Sequence, residues 1–461
     1  MSALLAVLAW SVGDAPVIEQ IQQTSNPVEH ADQPNIVFVL SDDQRVDTLG
    51  AMPHLQLLME QATTFSHAYV TTPLCCPSRS SILSGQYAHN HGVLSNRTPY
   101  GFDAFEDQET LPKWLHDAGY RTALIGKYLN GYDRQDAKYV PPGWDVFRTF
   151  VGEPGYDEFG LTQHVDGVDG GVKEYVKSNN VYSTDLLGEL AVDFLTDAAT
   201  RPEQPFFLYF TPFAPHAPAT PPARYANLHE TFEQTPAFNE ADVSDKTWLA
   251  TSAELLRRDL NQIERTKTNM YASLRALDDT FQVLLDTLEV NGQLKNTVVI
   301  YMGDNGVHWG EHRIPNGKST PYEESIHVPL VLYDGRVPRK HTDDRLVLNI
   351  DIAPTLLSYA GVEVPSSVDG RSWLNQDGKG WREIFLTESW GKGEEVPDYR
   401  QAHTDKWSFT EFATGGRELY DLGQDPYQLE NIVDNPELAS TVAELKTQLD
   451  AMTTCVGNIC P

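Results

Sequence analysis

Short apolar runs recur along the chain and predict buried strands. The first, NIVFVL at residues 35 to 40, ends abruptly in Ser41, Asp42 and Asp43. Further runs are GYRTALIGKY (119 to 128), PFFLYFTPFAPH (205 to 216), TVVIYM (297 to 302) and IHVPLVLYD (326 to 334). Helical spacing from Tyr271 to a stop at Gly292, and again over residues 351 to 361, predicts helices between the later strands. We therefore predict an α/β fold, with a large, mostly parallel sheet sandwiched by helices.

The pattern changes after about residue 375. Short aromatic runs are separated there by glycine and charged residues, and helical spacing resumes from about Pro436 to Met452. This pattern predicts a smaller C-terminal antiparallel sheet that packs with one helix. We accordingly divide the chain into a leader and lead-in (1–33), a large domain (34–375) and a small α+β subdomain (376–461).

The charge of the chain excludes one class of partner. Its 65 Asp and Glu against 34 Lys and Arg give a net charge of -31, which argues against binding nucleic acid phosphates. No apolar run approaches the roughly 18 residues that a membrane span needs. The apolar run from Ala3 to Trp10 resembles a weak secretory signal, although basic residues do not precede it. We expect the protein to be exported.

Polar clusters follow four of the predicted strands: SDD, GKY, APH and GDNG. Ligands of parallel sheets bind at the carboxyl ends of the strands, so these clusters predict an active site there. Asp42, Asp43, Asp304 and Asn305 offer only oxygen ligands, which suit Ca²⁺ or Mg²⁺ better than zinc. One such pair alone would more often cap a helix or form a turn.

Three further side chains are candidates for binding an anion or moving a proton. Lys127 and Lys318 could bind an anion, and His216, in a proline-stiffened loop, could act as a general acid. Each alone would more often be a surface lysine or a structural histidine. Five other histidines are weaker candidates for such a role, because their positions in the sequence point less clearly to the site than that of His216: His89, His91, His308, His312 and His327.

The chain has four cysteines, and two of them are adjacent in LCCPSRSSILSG, residues 74 to 85. Cys75 and Cys76 could form a strained disulfide, half a metal site or two buried thiols. Cys455 and Cys460 lie in CVGNIC near the C-terminus. They could close a small disulfide loop in an exported protein, or stay as free thiols.

The stretch from Cys75 to Arg79, closed by Leu83-Ser84-Gly85, resembles the sulfatase signature C-x-P-S-R-x-x-x-L-[ST]-G. Four other stretches resemble sulfatase blocks in the correct order: PNIVFVLSDDQ, GYRTALIGKYLNGY, GDNG with PYEESIHVPL, and ELYDLGQDPYQLENI. The resemblance extends over roughly residues 34 to 435. LCCPSR, GKYLN and APHAP are most similar to N-acetylglucosamine-6-sulfatases and related polysaccharide sulfatases.

The resemblance implies an alkaline-phosphatase-like fold and hydrolysis of a sulfate ester on a sulfated carbohydrate. A formylglycine-generating enzyme would oxidise Cys75, whose hydrated aldehyde would be the nucleophile. The implied metal is one Ca²⁺ ion, with Mg²⁺ possible as a substitute, bound by Asp42, Asp43, Asp304, Asn305 and the modified Cys75. The implied roles of the others are these: Arg79 holds the nucleophile, Lys127 and Lys318 neutralise sulfate, and His216 protonates the leaving alcohol.

The chain departs from the family at one place. Many members have a histidine two positions after the lysine of the second block, where this chain has Leu129. Asn130 follows and is a candidate site residue that can form hydrogen bonds but cannot act as a base. Which group accepts the proton when sulfate leaves is therefore open.

Two other functions fit part of the pattern. Phosphodiesterases and phosphonate monoester hydrolases use related folds and can carry the same cysteine motif. The third function is a catalytically silent protein that binds glycans, which would hold if Cys75 stays unmodified or if the Ca²⁺ site is empty. The complete set of matched residues argues against the silent protein, and relative rates on sulfate esters and phosphodiesters separate the two enzymes.

Overall fold

The computed structural model describes residues 33–134, 136–374, 380–392 and 395–460. The leader predicted for residues 1–33 lies outside these ranges except for Gln33, and so does the predicted boundary at residue 375. Within the described ranges, no helix combines the length and apolar character that crossing a membrane requires.

A ten-stranded mixed sheet forms the centre of the fold, in the order β10-β2-β9-β8-β1-β7-β3-β4-β5-β6. Its strands are β1 (Asn35–Ser41), β2 (Thr63–Tyr69), β3 (Arg121–Gly126), β4 (Val146–Val151), β5 (Phe159–Val165), β6 (Val168–Tyr175), β7 (Phe206–Thr211), β8 (Thr297–Gly303), β9 (Leu330–Asp334) and β10 (His341–Leu348). The four central strands β8, β1, β7 and β3 are parallel to one another. Because both faces of these strands are buried, they read as continuous apolar runs in the sequence.

Helices cover both faces of this sheet. The longer ones are α1 (Pro53–Met59), α2 (Cys75–Ser84), α4 (Leu111–Asp117), α5 (Ser183–Ala198), α6 (Arg257–Val290) and α8 (Ile352–Tyr359), and the short ones are α3 (Ala88–His91) and α7 (Glu323–Ile326). One apolar core holds side chains of α1, α5 and α6, and a second holds side chains of α2, α4 and α8. The predicted α/β sandwich is confirmed.

A second, antiparallel sheet follows in the chain. It contains β11 (Phe385–Ser389), β12 (Tyr399–His403), β13 (Trp407–Phe412) and β14 (Arg417–Asp421), and helix α9 (Ala439–Met452) packs on it. Its core includes Phe385 and Leu445 together with Tyr69 and Leu348 from the large sheet, so the two sheets share apolar contacts. A disulfide joins Cys455 to Cys460.

Three details differ from the prediction. The run from Ile326 to Asp334 is a strand only from Leu330, because Pro329 has no N–H for the ladder and α7 ends at Ile326. This strand runs antiparallel to β8. Helix α6 begins at Arg257 rather than near Tyr271, since its first turns are largely exposed and lack the apolar spacing that the core requires.

A buried ion pair supports a stability prediction. Arg382 donates to both carboxylate oxygens of Asp351, and both side chains are fully buried. We expect Arg382→Met to lower the free energy of unfolding by about 3–5 kcal/mol, since it leaves a buried charge without its partner. Lys340→Met, which breaks an exposed pair with Glu60, should cost about 1 kcal/mol or less in the same denaturant titration. Equal effects of the two substitutions would contradict this expectation.

Candidate active site

The four polar clusters that follow the predicted strands meet at one end of the large sheet. Asp42 follows β1, Lys127 follows β3, His216 lies in the loop after β7, and Asp304 follows β8. These strands are adjacent and parallel, so their carboxyl ends open at the same edge. The predicted convergence of the four clusters is confirmed.

Cys75 is the first residue of α2 and lies within this group, with its side chain buried. Its Sγ is 2.8 Å from Lys318 Nζ, 3.4 Å from Asp42 Oδ1 and 3.8 Å from Asp43 Oδ1. Burial raises the pKa of the Cys75 thiol well above its ordinary value, despite the nearby cations Lys127 and Lys318. An unmodified thiol here is therefore neutral and a poor nucleophile.

Three carboxylates and one amide form the base of the site. The Asp43 backbone amide donates to Asp304 Oδ1 at 2.9 Å, and Asn305 Nδ2 donates to Asp43 Oδ1 at 2.6 Å. Asp42 is buried beside them. The buried Asn305 Oδ1 accepts no hydrogen bond from any described residue. A buried oxygen without a donor, next to three carboxylates, fits a hard cation such as Ca²⁺.

Ligand atoms of Asp42, Asp43, Cys75 and His216 all lie within 4.8 Å of one another. Burial alone would raise the pKa values of Asp42 and Asp43, but neighbouring cations, led by Lys127 for Asp42 and Lys318 for Asp43, hold both below the usual range. Burial raises the pKa of Asp304, and the charge of Asp42 adds to that effect. The three carboxylates thus repel one another, which a divalent cation would relieve.

Three basic side chains surround this acidic base. Arg79 donates through Nε to Asp304 Oδ2 at 2.8 Å and through a terminal nitrogen to the Lys127 carbonyl at 2.9 Å. Lys127 Nζ is 2.5 Å from Asp42 Oδ2, and Lys318 Nζ is 2.5 Å from Asp43 Oδ1. Arg79 therefore binds Asp304 rather than Cys75. Lys318, in contrast, contacts both Asp43 and Cys75.

Gly126 lets Lys127 approach the neighbouring strand. Its φ is +129°, and a Cβ there would lie 2.1 Å from the Thr211 carbonyl oxygen. The Lys127 backbone amide donates to that same carbonyl at 2.6 Å. A side chain at position 126 would therefore displace the end of β3 and the lysine that follows it.

His216 faces the cluster in a defined orientation. Its Nδ1 lies 2.6 Å from the Ala217 carbonyl, so Nδ1 carries a proton and donates, which leaves Nε2 3.4 Å from Asp43 Oδ2. The Phe213 ring stacks on the imidazole at 4.7 Å, and the Tyr156 hydroxyl donates to the His216 carbonyl at 2.8 Å. Neither aromatic residue was singled out from the sequence, because core packing alone explains either residue type.

Leu129 packs into the apolar core that contains α2 and α4 and is 2% exposed. A base at that position would accordingly be directed into the core in this backbone conformation. Asn130 lines a cavity of about 400 Å³ together with Lys127 and His216. Its buried Oδ1 has no hydrogen-bond partner among the described residues. The structure thus places Asn130 beside the cluster.

The five histidines with weaker placement lie outside this cluster. His91 contacts Ser81, His308 contacts Thr320, and His312 contacts Glu240. Burial lowers the pKa of each of these three imidazoles to about 3, so they are neutral parts of the core. His89 pairs with Glu388, and His327 stacks on Tyr69.

Asn96 is a residue near the site that sequence reasoning did not single out. Its Oδ1 accepts the backbone N–H of Cys76 at 2.9 Å, which fixes the loop after α3 to the first turn of α2. In the sequence, Asn96 is visible only as part of the sequon Asn96-Arg97-Thr98. Cys76 itself is fully buried in the apolar core and forms no disulfide.

Comparison with protein families gives two matches. The sulfatase family model matches residues 34–362, which is more than half of the chain. A second model, described as the C-terminal part of N-sulphoglucosamine sulphohydrolase, matches residues 310–454. The two matches together span both sheets.

Curated relatives are also sulfatases. Human N-acetylglucosamine-6-sulfatase is 32% identical over 79% of this chain and 69% of its own length. The extracellular sulfatase SULF-1 homologue of Drosophila melanogaster is 32% identical over 78% of this chain. The chain spans only 33% of that relative, and 49% of a Caenorhabditis elegans homologue of Sulf-1.

Solved structures share the fold. The protein BT4656, determined in complex with its substrate D-glucosamine-2-N,6-O-disulfate, covers 91% of this chain at a TM-score of 0.73, with 24% identity and 97% of its own chain covered. A phosphonate monoester hydrolase from Silicibacter pomeroyi covers the same 91% at a TM-score of 0.72, with 22% identity and 95% of its own chain covered. At these identities the likeness establishes the architecture and leaves the reaction open.

Proposed function

Because this chain belongs to the sulfatase family, we propose that it hydrolyses a sulfate ester on a sulfated carbohydrate. One observation carries the proposal: Cys75, at the start of α2, lies 2.8 Å from Lys318 and beside the Asp42–Asp43 pair. Nucleophile, cations and candidate metal ligands thus occupy one buried cluster. Such a cluster suits a transferring group that gains negative charge.

The nucleophile that we propose is Cys75 after oxidation to formylglycine, a step that requires a formylglycine-generating enzyme as a partner. The hydrated aldehyde would supply one hydroxyl to attack sulfur and a second whose deprotonation lets sulfate leave. The unmodified thiol is neutral because burial raises its pKa, which favours a modified side chain. Arg79 would stabilise this group indirectly, since it orients Asp304 and the Lys127 backbone.

The metal that we propose is one Ca²⁺ ion. Asp42, Asp43, Asp304 and Asn305 would bind it together with the modified Cys75. The Asn305 Oδ1, which has no hydrogen-bond partner within the described ranges, supports this set. A divalent cation would supply charge stabilisation to the sulfate oxygens. It would also compete with Lys127 and Lys318 for the carboxylates, which would leave both ammonium groups free to bind sulfate.

His216 is the general acid that we propose for the leaving alcohol. Its Nδ1 donates to the Ala217 carbonyl, so Nε2 is the nitrogen that faces the site. A proton held on Nε2 can pass to the bridging oxygen as the sulfur–oxygen bond breaks. Asn130, whose Oδ1 in the same cavity accepts no hydrogen bond from the part of the chain that the structure describes, would bind substrate or water rather than act as a base.

The proton transfer predicts a dependence on the leaving group. We expect His216→Gln to lower kcat about 10²- to 10⁴-fold on N-acetylglucosamine 6-sulfate, whose alcohol needs a proton. The loss should be under about tenfold on 4-nitrophenyl sulfate, whose phenolate leaves without one. The exposed His67 lies away from the site, and His67→Gln should leave both rates unchanged. Equal losses on the two substrates would rule out this role for His216.

Similarity to N-acetylglucosamine-6-sulfatases favours a 6-sulfated N-acetylglucosamine within a glycan as substrate. Extracellular relatives and the Cys455–Cys460 disulfide support an exported protein. Comparison of kcat/KM on N-acetylglucosamine 6-sulfate, a phosphodiester and a phosphonate monoester tests the proposal. The sulfate ester should be hydrolysed fastest by the modified protein. Preference for either phosphorus substrate would establish the alternative hydrolase, and binding without turnover would establish the silent glycan-binding protein.

A further inference from the structure

Two arginines lie in the cavity that leads to the site. The cavity of about 400 Å³ lined by Lys127, Asn130 and His216 is also lined by Arg97 and Arg134. Both arginines are exposed. Neither was singled out from the sequence, and the proposed hydrolysis of a single sulfate ester does not use them.

The charges of this cavity are unusual for a chain with a net charge of -31. Among the described residues, no carboxylate oxygen lies within 4.0 Å of either guanidinium. The cavity also contains Asp133 and Glu153. Asp133 Oδ2 accepts the Gly152 backbone N–H at 2.5 Å. Both guanidinium groups therefore keep their donors available to a ligand.

Both arginines are attached to backbone that the site itself fixes. Arg97 follows Asn96, whose side chain accepts the Cys76 N–H at 2.9 Å at the first turn of α2. Arg134 folds back over Gly131, where an added Cβ would lie 2.9 Å from its Nε. Gly131 itself lies four residues after Lys127. The backbone that carries the two arginines is consequently tied to the cluster that would hold the sulfate, which keeps both side chains within its cavity.

We infer that Arg97 and Arg134 bind a second anionic group of the substrate, so that the enzyme selects polyanionic glycans over singly sulfated sugars. This inference rests on the proposed sulfatase function. The proposed function already assigns Lys127, Lys318 and a metal to the sulfate that is cleaved, so two more cations in the cavity that Lys127 lines indicate another anion. A guanidinium binds a sulfate or a carboxylate in the same bidentate manner. The second group is therefore a sulfate or the carboxylate of a uronic acid.

Steady-state kinetics on three substrates tests the inference. They are N-acetylglucosamine 6-sulfate, D-glucosamine 2-N,6-O-disulfate, and a disaccharide that joins a uronic acid to 6-sulfated N-acetylglucosamine. We expect Arg97→Ala and Arg134→Ala to raise KM about 10- to 100-fold on at least one doubly anionic substrate, with kcat little changed. The substrate that responds identifies the second group as sulfate or carboxylate.

Arg257→Ala is the matched control. Arg257 is exposed at the start of α6, and it does not line the cavity. Its replacement removes the same charge from the chain, so it should leave every KM within about twofold if position matters more than net charge. Thermal melting should show all three variants folded, because these side chains are exposed.

The controls separate failure of this inference from failure of the proposed function. Unchanged KM values for both arginine variants on both doubly anionic substrates, with normal turnover of N-acetylglucosamine 6-sulfate, would overturn the inference and leave the sulfatase function standing. Equal losses on the singly sulfated substrate would also overturn it, because the arginines would then serve the cleaved sulfate. No turnover of any sulfate ester by the modified wild-type protein would overturn the proposed function itself.

Discussion

Cys75→Ser is expected to lower sulfatase kcat roughly 10⁴-fold or more, as the loss of an essential nucleophile does in other hydrolases. The thiol of Cys75 is buried among Lys318, Asp42 and Asp43, where only a modified side chain would be reactive. Serine keeps the size of the side chain, but its single hydroxyl could not expel sulfate without an added water. Turnover of N-acetylglucosamine 6-sulfate by purified variants measures the loss.

Cys76→Ala provides the internal control for this experiment. Cys76 is the next residue of the same helix and is fully buried, but it packs into the apolar core. Its replacement should cost some stability and keep most of the kcat of the wild type. Activity of Cys75→Ser above about a tenth of the wild type would contradict the proposed nucleophile, and so would equal losses from the two substitutions.

Removal of Ca²⁺ is the second change with a large expected effect. Chelation should lower kcat/KM roughly 10²- to 10³-fold, because the site would lose the cation that we propose stabilises the sulfate oxygens. Added Ca²⁺ should restore the rate. It should also raise Tm, since a ligand at about 100 times its Kd stabilises the folded state by about 2.7 kcal/mol.

The Ca²⁺-dependent rise in Tm can be tested without any turnover. Asn305→Ala removes a buried Oδ1 to which no residue of the described structure donates, and it should reduce or abolish the rise. Asp185→Asn, which alters an exposed carboxylate paired with Arg224, should keep it. Full activity after exhaustive chelation, together with a Tm that does not respond to Ca²⁺, would contradict the proposed metal site.

The central strands of the fold were predicted from the length of their apolar runs and from the polar residues that follow each run. Strands β1, β3, β7 and β8 are apolar on both faces, so each is visible as an uninterrupted run followed by its polar cluster. Strands β5 and β6 could not be found in this way. β6 is the outermost strand at this side of the sheet and is largely exposed, and β5 lies next to it, so neither a long apolar run nor strict alternation marks them.

The sequence predicted which residues would meet at the candidate site, but not which side chains would contact one another there. Asp42 and Asp304 lie 262 positions apart in the sequence, and the parallel pairing of β1 with β8 brings them together. The interaction of Arg79 with Asp304 and the stacking of Phe213 on His216 depend on side-chain packing that no local pattern encodes. The division of the chain near residue 375 remains our proposal, because the shared core of the two sheets does not define a boundary.

Peptide mass spectrometry of the fragment that contains Cys75 tests the central claim most directly. The protein should come from its natural host, or from a host that modifies other sulfatases. We expect a mass lower by the difference between CH₂SH and CHO at Cys75, with Cys76 unchanged, in protein that hydrolyses sulfate esters. An unmodified thiol at Cys75 in such a preparation would contradict the proposed hydrolase mechanism and favour a protein that only binds sulfated glycans.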